Sequence, residues 1–331
     1  MFYGLFVGGI TFNPITDIND LSEKVIFVTG GTSGIGLQTA LELAKHDPSH
    51  IYISGRNKAS AESALKIIQS AAPSTKVTFL KCDLADLDDV TSCARDFLSR
   101  EKRLDILILN AGIMASEAAT TKQGYEIQFG TNHVGHFLLT KLLLPTLEET
   151  AKLPASRVRI VSVASVGHFN APGHGIVFSE LRTDMYRWHT FRRYGQSKLA
   201  NILFVRHLAE LLNEKGSKVI AVSIHPGVVD TGLFKSVNNW YIIPDLIKIA
   251  RKMKIYLVDS NTGAKTHLWA ATAETSTVKD ATSETAMGKV VNGEYYTPIG
   301  LAGQGSKTSQ NKELARKLWE WTEEEVKDYK L

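Results

Sequence analysis

The sequence predicts an α/β fold: a single domain on a doubly wound parallel sheet of about seven strands, with helices on both faces. Three observations predict it. Short apolar, β-branched runs recur along the chain with helical segments between them, as expected for strands covered on both faces. A glycine-rich turn joins the first such run to a helix. No internal repeat, low-complexity tract or Pro/Gly/Ser linker divides the alternation, so residues 24–331 read as one domain behind an N-terminal extension, 1–23.

The expected strands are residues 25–29, 51–54, 77–81, 106–109, 158–163, 219–224 and a short 294–296. The expected helices are 34–45, 59–70, 87–99, 125–147, 194–213, 262–271 and 312–327. The last carries Leu314, Leu318, Trp319 and Trp321, for packing on the body or on a partner such as a second copy of the chain. Two stretches interrupt the rhythm, 166–193 and 232–260. Both leave the carboxyl ends of strands, where open α/β sheets bind ligands, and long loops there are usually substrate walls or lids.

Composition bounds the function. At 331 residues, 44% hydrophobic and 22% charged, the chain can fill a core without disulfides. Its two cysteines, Cys82 and Cys93, lack metal-ligand spacing and form no framework, which points to a reducing, cytoplasmic setting. A net charge of +4 without a long basic block argues against nucleic acid as a partner. Met1 to Ile10 are apolar and uncharged, too few to span a bilayer and without the basic start of a signal peptide. They read either as a tail packed or frayed on the body, or as a shallow interfacial anchor. Residues 246–257 mix helical apolar positions with cations, as does a lid helix or a basic amphipathic helix at a lipid surface.

Thr29-Gly30-Gly31-Thr32-Ser33-Gly34-Ile35-Gly36 follows the strand Val25–Val28 and opens a helix. Glycines let the backbone approach a pyrophosphate, and the helix N-terminus turns its N–H groups toward the anion, which makes the fold Rossmann-type. Gly30 allows the tight exit, Gly34 removes a side chain where phosphate lies, and Gly36 allows close packing of the helix. The second strand ends Ser54-Gly55-Arg56-Asn57, with no acid to bond a ribose 2′-hydroxyl. Arg56 is therefore the expected ligand of a 2′-phosphate, helped by a hydroxyl of Thr32 or Ser33, and the expected cofactor is NADP(H).

Tyr194-Gly195-Gln196-Ser197-Lys198 places a phenol and an ammonium four residues apart on one helix face. A free tyrosine has a pKa of about 10, and bringing it near 7 takes roughly 4 kcal/mol in favour of the phenolate. A nearby ammonium and an oxidised nicotinamide can supply that. His133 and His136, three positions apart, have no third partner in the sequence, so packing or surface roles are expected and no metal.

These motifs together, from about Lys24 to about Tyr296, resemble the short-chain dehydrogenase/reductase family, and among its members the retinol-dehydrogenase-like and fungal-type oxidoreductases. The resemblance implies further roles. Asp83 and Leu84 would border the adenine ring, and Asn110-Ala111-Gly112 would fasten strands and leave room for adenosine. Ser165 would hold the substrate oxygen, with Ser162 a competitor. Asn132 would bend its helix and hold a water linking lysine to solvent, and Lys198 would also hold the nicotinamide ribose. Pro226 and Gly227 would border the nicotinamide, with Val229 or Thr231 bonding its carboxamide. The stretch between Ser165 and Tyr194 is longer than the family's common spacing, which implies an inserted pocket wall.

The expected activity is hydride exchange between NADP(H) and a small hydrophobic carbonyl/alcohol pair, reduction favoured. Tyr194 is general acid/base, Ser165 polarises the oxygen, Lys198 orients ribose and tunes the tyrosine, and Asn132 maintains the proton path. A protein that binds NADP(H) without catalysis is the competing class.

Overall fold

The structure, a computed structural model, describes residues 9–229, 258–276 and 280–331. The alternation is realised as one seven-stranded sheet in the order β3-β2-β1-β4-β5-β6-β7, every neighbouring pair parallel. The strands are β1 (Val25–Thr29), β2 (His50–Gly55), β3 (Val77–Lys81), β4 (Ile106–Leu109), β5 (Arg159–Val163), β6 (Ile220–Ile224) and β7 (Tyr295–Tyr296). The order reverses between β1 and β4, which opens a crevice at the carboxyl ends of the central strands.

The helices are α1 (Pro14–Asp17), α2 (Gly34–Ala44), α3 (Lys58–Ala71), α4 (Leu87–Arg100), α5 (Ile127–Phe129), α6 (Gly135–Thr150), α7 (Thr190–Glu214), α8 (Ser260–Thr272) and α9 (Lys312–Glu325). Strand periodicity sends Val25 and Phe27 into one core with α4, α6, α7 and α9, and Ile26 and Val28 into the other with α2, α3 and α8. Burial on both faces is why β1 reads as an unbroken apolar run. Asn57, Asp86 and Asn311 cap α3, α4 and α9 by accepting from first-turn N–H groups.

Three expectations change. The helix expected over 125–147 is broken into α5, a π-helical turn at Gly130–Val134, and α6. The helix bearing Tyr194 begins at Thr190, so the tyrosine stands inside the helix instead of at its start. The stretch 166–193 is largely turned, with 3₁₀ segments at Val166–Asn170 and Phe178–Glu180. On the N-terminal side Phe12, Ile18 and Leu21 are buried in the second core, and Ile10 donates its N–H to Ile299 O at 3.0 Å. The C-terminal α9 packs on the body: Trp319 stacks on Phe204 of α7 with ring centroids 5.9 Å apart.

Residues 1–8, nearly all of 232–260 and the whole of 246–257 lie outside the described residues, and so does Thr231. Among the described residues no helix is long and apolar enough to cross a membrane.

Candidate active site

A cleft of about 500 Å³ lies along the carboxyl ends of the strands. At one end it is bordered by Gly30, Thr32, Ser33, Gly34, Ile35 and Gly36 between β1 and α2. Arg56 after β2, Asp83 and Leu84 after β3, and Asn110, Ala111 and Gly112 after β4 also border it. At the other end stand Ser165, Tyr194, Lys198, Pro226, Gly227 and Val229. Ser162 lies within β5, paired with Leu109 and Ser223, while Ser165 reaches the wall. Asn132 stands behind the wall.

The turn after β1 needs its glycines for local reasons. Gly30 and Gly34 have φ of 65° and 54°, in the left-handed region. A Cβ on Gly36 would lie 2.4 Å from both Gly30 O and Asn110 Nδ2, so this glycine serves contact with the strand exit. Asn110 Nδ2 donates to Thr29 O at 2.9 Å, and the Ala111 N–H donates to Thr29 Oγ1 at 3.1 Å, locking β4 to β1. Ser33 precedes α2 without its side chain capping the helix. The helix N-terminus and Arg56 therefore both border the cleft, a cradle that fits a dinucleotide phosphate.

At the chemical end, Ser165 starts the 3₁₀ turn and its Oγ accepts from Gly167 N at 3.0 Å. Burial pushes the Tyr194 phenol up to about 12, and the Ser165 hydroxyl works against that rise. Burial also pulls Lys198 down to about 7. Its Nζ lies 5.8 Å from the Tyr194 ring centroid and donates to Val163 O at 2.8 Å. In the protein alone, then, tyrosine is not brought toward 7 as its spacing from lysine suggested: the desolvated ammonium is itself disfavoured.

The Asn132 side chain is spent on neighbours. Its Oδ1 accepts from Ile113 N at 2.8 Å, and its Nδ2 donates to Ile113 O at 3.0 Å and Ser197 Oγ at 2.9 Å. It stands within the π turn Gly130–Val134. Its main-chain oxygen accepts from His136 Nδ1 at 3.1 Å. His133 and His136 are buried, not on the surface. His133 Nε2 meets Thr322 Oγ1 of α9 at 3.0 Å, while His136 turns toward Thr29.

Several site residues carried no sequence signal. His168 and His225 are buried beside Ser165 and Lys198, and their pKa values are held low by desolvation. His168 Nδ1 donates to Ser165 O at 2.7 Å, and its Nε2 accepts from Ser306 N at 3.1 Å, tying the C-terminal segment to the serine turn. Arg193, next to Tyr194, forms a buried ion pair with Glu126 at 2.8 Å and donates to Ser116 O. Its neighbours one helical turn away, His189, Thr190, Gln196 and Ser197, are all polar, so the pattern gave no hint of its burial.

A sequence model of the family described as short chain dehydrogenase matches residues 24–242. An uncharacterized oxidoreductase of Schizosaccharomyces pombe is 40% identical, covering 88% of this chain and 81% of that protein. Retinol dehydrogenase 12 of Mus musculus is 35% identical, covering 95% and 88%. Among solved structures, an uncharacterized protein from Mycobacterium paratuberculosis superposes with a TM-score of 0.70 at 27% identity, covering 96% of this chain and 98% of that one. The chain belongs to the short-chain dehydrogenase family. It is an oxidoreductase of that family, which uses nicotinamide cofactors and acts on small-molecule substrates.

Proposed function

We propose that the protein is an NADP(H)-dependent reductase of hydrophobic aldehydes or ketones. The observation that carries this reading is the shared cleft: Ser165, Tyr194 and Lys198 line one end, and the glycine turn with Arg56 lines the other. Arg56, with Thr32 or Ser33, would hold a 2′-phosphate; Gly30 to Gly36 would hold the pyrophosphate, and Asp83, Leu84, Asn110, Ala111 and Gly112 the adenosine. Pro226, Gly227 and Val229 would flank the nicotinamide, with Thr231 the other candidate for its carboxamide. Lys198 would hold its ribose.

Bound there, the nicotinamide supplies hydride to a carbonyl carbon. Ser165 Oγ donates a hydrogen bond to the carbonyl oxygen, and the Tyr194 phenol gives that oxygen its proton. A phenol pushed up to about 12 is protonated at neutral pH, the form that reduction needs. Asn132 braces the helical turn beside Lys198 and Ile113, along which the proton path runs. An apolar substrate is supported by the name of the murine relative, a retinol dehydrogenase. The two buried free thiols, which suit a reducing compartment, support a cytoplasmic location.

Purified protein is mixed with NADPH or NADH and a panel of hydrophobic aldehydes and ketones, beside Tyr194→Phe. Tyrosine-dependent oxidation of NADPH over NADH supports the proposal. Binding of NADPH with no turnover by the wild type across the panel would instead favour a cofactor-binding protein without catalysis.

A further inference from the structure

His136 is a buried titratable group that the proposed reaction does not use. It stands on the first turn of α6, 2% exposed, and its two ring nitrogens have opposite roles. Nδ1 lies 3.1 Å from the Asn132 carbonyl oxygen, which can only accept, so Nδ1 bears the proton. Burial holds the ring's pKa down at about 3, so the imidazole is neutral at working pH and Nε2 keeps its lone pair. Nε2 lies 2.9 Å from Thr29 Oγ1, and the threonine hydroxyl must therefore donate. The competing acceptor for that hydroxyl, Ile108 O, is longer at 3.3 Å. Thr29 Oγ1 in turn accepts the Ala111 N–H at 3.1 Å.

These contacts form a one-way chain from Ala111 to Thr29, from Thr29 to His136, and from His136 to Asn132. Its first members shape the turn where β1 and β4 meet the cleft. Its last member belongs to the π turn, and Asn132 Oδ1 and Lys198 Nζ lie 3.1 Å and 3.4 Å from where a Cβ on Gly112 would stand. We propose that His136 is a positioning residue that couples the two ends of the site, fixing the Thr29–Ala111 edge for the cofactor and the Asn132 turn for the catalytic lysine. The inference rests on reading the cleft as an NADP(H) site. Its physical basis is that Thr29, His136 and Asn132 are all buried, so removing one nitrogen takes away a bond that water cannot replace, and Thr29 is left with only the longer contact to Ile108 O.

The two roles separate by substitution. Asparagine places an amide near Nδ1 and can keep the bond to Asn132. Glutamine reaches the position of Nε2 and can keep the bond to Thr29. His136→Asn and His136→Gln are compared with wild type by fluorescence titration of NADPH, or NADH if that binds tighter, by kcat at saturating cofactor, and by thermal melting. His136→Asn is expected to weaken cofactor binding about tenfold with kcat within about threefold. His136→Gln is expected to hold Kd within about threefold and lose about tenfold or more in kcat. Loss of both quantities together in both variants, in step with Tm, makes the residue merely structural and overturns the proposal; so does no change in either.

A wild type that binds NADPH but turns over nothing ends the catalytic reading while the titration still decides the coupling. His136→Asn must then bind more weakly than His136→Gln, and equal affinities overturn it. Should neither variant fold, Thr29→Val tests the cofactor end alone. Weaker NADPH binding with retained kcat supports the chain, and unchanged binding with lost kcat overturns it.

Discussion

Replacing Lys198 by methionine is expected to stabilise the protein while abolishing its activity. Burial lowers this lysine from an ordinary 10.5 to about 7. Each unit corresponds to about 1.4 kcal/mol, so keeping the side chain as an ammonium in the fold costs about 5 kcal/mol. Methionine removes that cost along with the bond from Nζ to Val163 O, a charge-assisted contact contributing about 2 kcal/mol. Asn201 Nδ2 still donates to Val163 O at 3.1 Å, so the carbonyl is not orphaned. The net gain is about 3 kcal/mol at neutral pH, a rise in Tm on the order of 5 °C for a domain of this size. The gain must also depend on pH. Well below pH 7 lysine is protonated in both the folded and the unfolded chain, and the full cost is present. At pH 7 half of the folded molecules have shed the proton, which relieves only a few tenths of a kcal/mol, so most of the cost remains. Between pH 7 and 10.5 the unfolded chain binds more protons, so wild-type stability climbs with pH and the advantage of methionine shrinks toward nothing. The raised Tyr194 pKa is common to both proteins and largely cancels in the difference. Thermal melts of cofactor-free protein from pH 6 to pH 10 test this. A variant that melts below wild type at pH 7, or a gap of equal size at pH 7 and pH 9.5, would refute the electrostatic reasoning.

Other outcomes follow from the same site. Tyr194→Phe should bind NADPH normally and lose at least a hundredfold in kcat, read by single-turnover reduction, because the proton donor is gone while the ring remains. Arg56→Ala should weaken NADPH binding by roughly ten- to a hundredfold and leave NADH unchanged, the signature of a lost charge-assisted contact to a 2′-phosphate. Equal effects on the two cofactors would show that Arg56 does not read the phosphate. Gly36→Ala places a Cβ 2.4 Å from Gly30 O and Asn110 Nδ2 and should cost about 1–3 kcal/mol, with weaker cofactor binding. Gly173→Ala, where a Cβ meets nothing within 4 Å, is the control that should melt within about a degree of wild type.

The sheet was legible because each central strand is buried on both faces and so announces itself as an apolar run, as Val25–Thr29 does. The cleft was legible for a related reason. In this architecture the residues that meet a ligand leave the ends of those strands, so Gly30, Arg56, Asp83, Asn110, Ser165 and Gly227 converge once the strands are parallel and ordered. Helix boundaries near the site were less legible. Thr190 begins a helix inside a stretch rich in aromatic and charged residues, whose buried pair Arg193–Glu126 joins positions distant in sequence. The π turn at Gly130–Val134 keeps helical periodicity on either side and so hides in the pattern.

Electrostatics was the part that spacing could not supply. A spacing of four positions from Tyr194 to Lys198 establishes that the two groups share a helix face, but the sign of their mutual influence depends on how much water each has lost. Here both are buried, so desolvation raises the phenol and lowers the ammonium, and each moves toward its neutral form. The same burial makes His136, His168 and His225 neutral, and it turns His136 and His168, which look like titrating groups, into fixed donors and acceptors. Such a site is arranged at the expense of stability: its lysine would be cheaper as methionine and its hydroxyls cheaper as carbon. A buried lysine kept at that cost beside a buried tyrosine argues that the polar cluster is held for chemistry, since packing alone would have favoured apolar side chains there.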